Sequence, residues 1–247
     1  MQKHHRLISF CAGLIFLIVL QKFATPEPIF RFLIPAFLAF AAALTLYNYR
    51  YLKSIAKYNI WTLIRPLLLL CAGFSLFWLM PSANLRGLFL VTSVIMISLF
   101  EILLGSQAEN VLLVESLVIA FGMFFGFFGW YHYAPGFQTL YLLGIFASVY
   151  LLTRSTYEFI PQSNKTKIIG ATTLGFFCAQ LFWAANFLPF HFSFLALLLF
   201  NFYYFCLVMN YYHLFHVLNF KKLQMHLALM AVCVIAVLIS TPWRIIS

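Results

Sequence analysis

Hydrophobic residues along this chain fall into nine long runs, separated by short breaks rich in proline, glycine, small polar residues or positive charge. The first run extends from Leu7 to Leu20. The others cover about 31–48, 61–80, 86–104, 111–130, 138–153, 168–188, 191–212 and 225–241. The breaks carry turn and charge signals: Pro26 and Pro28, Pro81-Ser82-Ala83-Asn84, Gly105-Ser106, Ala134-Pro135-Gly136, Pro161 and Pro189. An apolar run of about 20 residues is what one helical crossing of a bilayer needs. The pattern therefore predicts an all-α integral membrane protein, a bundle of about nine transmembrane helices. No break exceeds roughly 15 residues, well short of the 50 or more that a soluble domain needs. Any chemistry is then expected inside the bundle or at its rim.

The first run follows a basic segment, Lys3 to Arg6, as a signal peptide would. Its exit, Gln21-Lys22-Phe23-Ala24, puts lysine where a small residue should precede a cleavage site. Residues 1–22 are accordingly read as a retained N-terminal span. A faint internal repeat suggests how the rest is organised. Cys71-Ala72, Leu76-Phe77-Trp78 and Pro81 are echoed about 105 residues later by Cys178-Ala179, Leu181-Phe182-Trp183 and Pro189, with Arg50 and Arg154 extending the parallel. The expectation is two parallel four-helix units, 31–130 and 138–241, with the N-terminal helix added; repeats of this kind occur in transporters.

Composition strengthens the membrane reading. Of 247 residues, 64% are hydrophobic and 8% charged, whereas soluble domains carry about 25% charged residues. A chain this poor in charge cannot cover itself with a water-compatible surface. The net charge of +10 would suit a nucleic-acid binder if it were gathered into a patch. Instead the basic residues sit at the ends of the apolar runs, so no nucleic-acid partner is expected and the bilayer is the expected partner. With the N-terminus cytoplasmic and nine alternating spans, eleven basic residues (Lys3, Arg6, Arg50, Lys53, Lys57, Arg65, Arg154, Lys165, Lys167, Lys221, Lys222) fall on the cytoplasmic side and four (Lys22, Arg31, Arg86, Arg244) on the other. The positive-inside rule supports that orientation and that number of spans. Trp130-Tyr131-His132-Tyr133 and Trp243 then form an aromatic belt on the outer side. The five cysteines (Cys11, Cys71, Cys178, Cys206 and Cys233) lie within apolar runs without a Cys-x-x-Cys pair, and are expected to be small core residues.

Several chemistries are absent from the sequence. There is no Gly-rich phosphate loop and no His-Glu-x-x-His. Aspartate is missing altogether, which excludes aspartyl proteolysis and Asp-rich diphosphate sites. No lysine lies at the middle of a span, which excludes a retinal Schiff base. The seven histidines are too few and wrongly spaced for di-iron histidine boxes. No cofactor is implied.

The remaining candidates are intramembrane polar residues. Glu101, Glu109 and Glu115 flank one turn between the fourth and fifth runs. A carboxylate within a span costs several kcal/mol unless paired or hydrated, so Glu101 and Glu115 should face the interior, either as a cation or proton site or paired with Arg65 or the lysine-rich loops. Gln180, Trp183 and Asn186 interrupt the seventh run and Asn201 the eighth; such amides line a cavity or cross-link helices. Asn210, His213 and His216 recur every third residue, so they form one helical strip. His213 and His216 are weak metal candidates, because a stable site needs further ligands; an interfacial belt is the plainer reading. Gly122 and Gly126 form a small-xxx-small pattern for close helix packing.

The stretch Gln180-Leu181-Phe182-Trp183 through Phe187-Leu188-Pro189-Phe190, with the aromatic run after it, resembles an uncharacterised family of small multi-pass membrane proteins of candidate-phylum bacteria. The resemblance covers about a quarter of the chain and implies a bacterial inner membrane, but no activity and no site. Three functions follow as expectations. The first is a transporter- or channel-like protein for a small solute, ion or lipid, its path lined by Glu101, Glu115, Gln180, Asn186, Asn201 and Asn210. The second is a non-catalytic subunit or assembly factor of a larger membrane complex, which would bring membrane partners or a homo-oligomer. The third is an intramembrane lipid-modifying enzyme using Glu115 or His213 and His216, which the lack of a recognised catalytic constellation disfavours.

Overall fold

A computed structural model describes residues 8, 11–16, 18, 30–54, 59–79, 83–103, 109–158, 160–215 and 218–240. The described residues are almost entirely helical and contain no strand. Nine helices can be counted among them: α1, helical over 11–16, α2 (Phe30–Ser54), α3 (Ile60–Leu79), α4 (Ala83–Leu103), α5 (Glu109–Tyr133), α6 (Gln138–Tyr157), α7 (Asn164–Ala185), α8 (Phe192–Leu214) and α9 (Phe220–Ser240). One 3-10 turn, Pro135–Phe137, joins α5 to α6. Among the described residues five helical stretches are long and apolar enough to cross a membrane: Val111–Tyr133, Pro135–Tyr157, Asn164–Ala185, Phe192–Leu214 and Phe220–Ser240.

Most helices overrun the apolar runs that predicted them. Backbone hydrogen bonding continues past the last apolar residue wherever the next few side chains tolerate helix, so α2 takes in Arg50 and Lys53 and α6 takes in Thr153 to Tyr157. The boundaries have local causes. Ser163 caps α7 by accepting from the Thr166 N–H at 3.2 Å, and Asn219 Oδ1 accepts from the Lys222 N–H at 2.8 Å at the start of α9. Pro66, inside α3, cannot donate to the carbonyl of residue 62, which leaves a gap in the ladder next to Arg65.

The described residues divide into two compact units, Met1–Glu115 and Ser116–Ser247, and the division falls inside α5. In the first unit α2 packs on α3 and α3 on α4. Leu52 and Leu63 are buried at the α2–α3 contact, with Tyr49 and Tyr51 packed against them. In the second unit α6 and α7 form the most extensive pairing, α7 packs on α8, and α8 on α9. Its core is aromatic and aliphatic: the Phe128 and Phe182 rings lie 4.5 Å apart, and Phe124 meets Tyr203 edge-on at 5.6 Å.

Glycine permits the α6–α7 approach. A Cβ on Gly175 of α7 would stand 3.0 Å from the Phe146 carbonyl oxygen of α6; at the α5–α6 contact, one on Gly144 would stand 2.7 Å from the Phe127 ring. Lipid tails are as apolar as leucine, so helices in a bilayer associate through close van der Waals contact of this kind. Gly122 and Gly126 are buried as well. The cysteines divide: Cys178 is buried, Cys206 and Cys233 are half-buried, and Cys11 and Cys71 are exposed, so the expectation of five core cysteines is met in full only at Cys178.

Candidate functional site

In the first unit, Arg65 lies five residues into α3 and Glu115 six residues into α5, each about 8–9 Å from its helix start at 1.5 Å per residue. Their charged groups meet at 3.7 Å, Arg65 Nη1 to Glu115 Oε2, with side-chain exposures of 1% and 4%. The two residues are thus an ion pair withdrawn from surrounding solvent. Glu115 Oε1 makes no hydrogen bond among the described residues, although it is fully buried. A buried carboxylate oxygen without a donor is costly, and natural structures keep few of them. Asn48, Ser93 and Ser98 are buried polar residues of the same unit.

The second unit holds a polar layer at the end where α6 finishes and α7 begins. Thr153, Arg154, Ser155, Thr156 and Tyr157 are five consecutive buried residues. At 3.6 residues per turn, five in a row cover the whole circumference, so this end of α6 is enclosed on every side. Thr156 Oγ1 donates to the Leu152 carbonyl at 2.8 Å, and the Thr156 and Ser116 hydroxyls share a 2.7 Å hydrogen bond between α6 and α5. Ser155 likewise donates to the Leu152 carbonyl at 2.7 Å. The Arg154 guanidinium is held by the Glu158 carboxylate and by Asn164 Oδ1, and Lys167 Nζ donates to the Glu158 carbonyl at 2.9 Å. Gln162 reaches across to the Leu214 carbonyl at 3.0 Å and ties the α6–α7 connection to the end of α8. The Tyr157 hydroxyl is buried beside Tyr203, Cys206 and Asn210 of α8, and its closest approaches fall outside good hydrogen-bond geometry. This layer couples four helices through neutral hydroxyls and one compensated arginine, which suits it to hold register.

The other end of the unit contains a pocket of about 270 Å³. Phe128, Tyr131 and His132 of α5, Asn186 and Phe190 of the α7–α8 connection, and Phe192 of α8 are among its walls. His191 caps α8 through its ring: Nδ1 contacts Ser193 Oγ at 2.8 Å and accepts from the Ser193 N–H at 3.4 Å. The His191 and His132 rings lie 6.3 Å apart. Burial, and then the neighbouring His132, hold the His191 imidazole below its ordinary value of 6.5. A second cavity, a groove of about 460 Å³ between α6 and α7, is walled mainly by apolar side chains, with Thr139, Gln180 and Trp183 among them.

The sequence-derived candidates are thereby distributed. Glu115 is buried against Arg65. Gln180 is exposed at the α6–α7 groove. Asn186 lines the end pocket and donates to the Phe182 carbonyl at 2.9 Å. Asn201 is buried but turns back on its own helix, donating to the Leu197 carbonyl at 2.9 Å. Asn210 borders Tyr157 in the polar layer. Within the second unit these four amides occupy separate places and do not line one cavity. The Glu101 side chain and all of His216 lie outside the described residues; His213 is exposed. Among the described residues no group of three or more His, Cys, Asp or Glu side chains could hold a metal ion.

Sequence reading missed the Thr153–Tyr157 layer. The signal was present, a Thr-Arg-Ser-Thr-Tyr-Glu run closing an apolar segment, but a helix end at a membrane surface has the same composition. Comparison with protein-family models, with curated proteins and with solved structures finds no match to this chain.

Proposed function

We propose that this chain is a nine-span membrane protein, N-terminus cytoplasmic and resident in a bacterial inner membrane, that moves a proton or small cation, with Glu115 as the group that takes it up. The observation that carries this reading is the buried Glu115 carboxylate, one oxygen of which faces Arg65 while the other lacks a donor. An ionisable side chain inside a span is expensive and marks a pathway by default. The Arg65 guanidinium offers the counter-charge that lets the carboxylate release its cargo and remain stable between events. The eleven-to-four distribution of basic residues supports this orientation, in which the pair lies toward the cytoplasmic end of α3 and α5.

The test is flux through proteoliposomes under an imposed membrane potential, read with an internal pH dye and with sodium- and potassium-sensitive dyes. The wild-type chain should carry current above empty vesicles. Arg65→Leu/Glu115→Leu, which removes the carboxylate without stranding a charge, should abolish it. Flux undiminished in that double variant, or absent from the wild type, would overturn the reading.

Two observations favour a second reading, a non-catalytic subunit of a membrane complex: Gln180 and Trp183 are exposed on the groove side of α7, and His226 is the one buried residue among those described in α9. Native mass spectrometry of the protein extracted from its own membranes would detect partners at fixed stoichiometry.

A further inference from the structure

The end pocket of the second unit is independent of the Glu115 pair, and its lining has an unusual balance. Four benzene-type rings, Phe128, Tyr131, Phe190 and Phe192, contribute walls from α5, from the α7–α8 connection and from α8, and none of the lining residues is Lys, Arg, Asp or Glu. The rings are fixed by neighbours: Phe128 lies tilted at 4.5 Å and Tyr131 edge-on at 5.7 Å against Phe182, while Phe192 packs on His191 at 4.2 Å and on His132 at 5.8 Å. Asn186 is tethered by its amide nitrogen to the Phe182 carbonyl, which leaves its oxygen as an acceptor. A volume of about 270 Å³ exceeds what one water molecule requires by roughly an order of magnitude.

Ligand classes can be weighed against this lining. An anion is held by a fixed positive charge or by free N–H groups at a helix start; at α8 the Ser193 N–H is already taken by the His191 ring and the Phe194 N–H by the His191 carbonyl. The lining has no fixed positive charge, and the adjoining His191 is held toward its neutral form. A transition metal needs a ligand set that the described residues do not assemble. A purely aliphatic guest would strand the Tyr131 hydroxyl, the His132 ring and the Asn186 oxygen without partners, at a cost of about 1–3 kcal/mol each. A methylated ammonium needs neither a fixed positive charge nor a metal-ligand set, and although its nitrogen has no N–H to donate, its positively polarised methyl groups are attracted to the Tyr131 and Asn186 oxygens. Its charge is spread over weakly hydrated methyl groups that suit the negative faces of aromatic rings, and aromatic walls are a recurrent way of holding such cations.

We propose that this pocket binds a small organic ammonium group, either a free solute or the head group of a lipid. Phe128, Tyr131, Phe190 and Phe192 supply the π surfaces, and the Tyr131 and Asn186 oxygens supply dipoles that attract the positively polarised methyl groups.

The experiment is calorimetric titration of the full chain in maltoside micelles with choline and with its neutral isostere 3,3-dimethylbutan-1-ol, repeated on Tyr131→Leu and Phe190→Leu. Both variants keep apolar volume at half-buried positions, and their thermal transitions would confirm folding. Choline should bind saturably and at least tenfold more tightly than the alcohol, and each variant should weaken choline about threefold or more. Equal affinity for the two probes, no saturable choline binding, or unchanged choline affinity in both variants would overturn the proposal. Nanodiscs of phosphatidylcholine and of phosphatidylglycerol separate the sources: choline excluded only by the former assigns the site to a head group, and choline binding in both assigns it to a free solute.

Discussion

Replacing Arg65 by leucine should be among the most damaging single changes available in this chain. The guanidinium and the Glu115 carboxylate are 3.7 Å apart at side-chain exposures of 1% and 4%. With an effective dielectric of about 20, two unit charges at that separation attract by about 4.5 kcal/mol. Removing one member of a buried pair typically costs about 3–5 kcal/mol, because the other charge is left without compensation. Arg65→Leu should therefore destabilise the protein by about 3–5 kcal/mol, and Glu115→Leu by a similar amount. The double variant should return to within about 1 kcal/mol of wild type, since burying two aliphatic groups in place of an ion pair is often neutral or better. Unfolding by SDS titration in mixed micelles, followed by tryptophan fluorescence, gives the three free energies and their coupling. If the single variants cost less than about 1 kcal/mol and their effects add, the two groups are not paired in the folded protein. The choice of the double variant as the flux-dead control would then lose its basis.

Other expectations test the helix contacts and the end pocket. Gly175→Ala should cost about 1–3 kcal/mol, because the added methyl meets the Phe146 carbonyl oxygen at 3.0 Å, whereas Gly87→Ala, with nothing within 4 Å, should be neutral or stabilising by up to about 1 kcal/mol; the same SDS titration reads both. Ser116→Ala removes one hydroxyl of the buried Ser116–Thr156 pair and should cost about 0.6–1.7 kcal/mol. Tyr157→Phe removes a buried hydroxyl that lacks a well-formed bond and should cost less than Ser116→Ala. His191 caps α8 with a ring nitrogen that must be unprotonated, and its folded value lies below the 6.5 of the unfolded chain. Above pH 6.5 both states are neutral and the cap is intact. As pH falls below 6.5 the unfolded chain binds the proton first, so stability should decline until the folded-state value is passed. Thermal scans from pH 7.5 to 5 should show this decline, and His191→Asn, which keeps a capping side chain, should flatten it.

Element type and approximate bounds could be read from the sequence because each helix announces itself. An apolar run near the length of a bilayer crossing, ended by Pro, Gly or charge, has few alternatives, and the observed helices begin and end within a few residues of the predicted runs. That Glu115 is buried was also foreseeable, since a carboxylate one to two turns into an apolar run has nowhere favourable to point except inward. The choice of Arg65 as its partner over the lysine-rich loops is tertiary, because it depends on α3 and α5 bringing their charges to the same depth.

The rest depended on which face of each helix meets which neighbour. These helices are apolar on nearly all sides, so periodicity cannot say whether Gln180 looks into a cavity or outward, or that Asn201 closes on its own backbone. Residues Thr153 to Tyr157 have the composition of a surface helix end, and only the neighbouring helices make them a buried layer. The end pocket joins Tyr131 and His132 to Asn186 and Phe192 across more than fifty residues of chain. A run of hydrophobicity fixes where a helix lies along the sequence. Contacts between helices depend on side-chain shape, on glycines such as Gly175 that let backbones approach, and on pairing of the few polar groups, all of which exist only once the helices have packed.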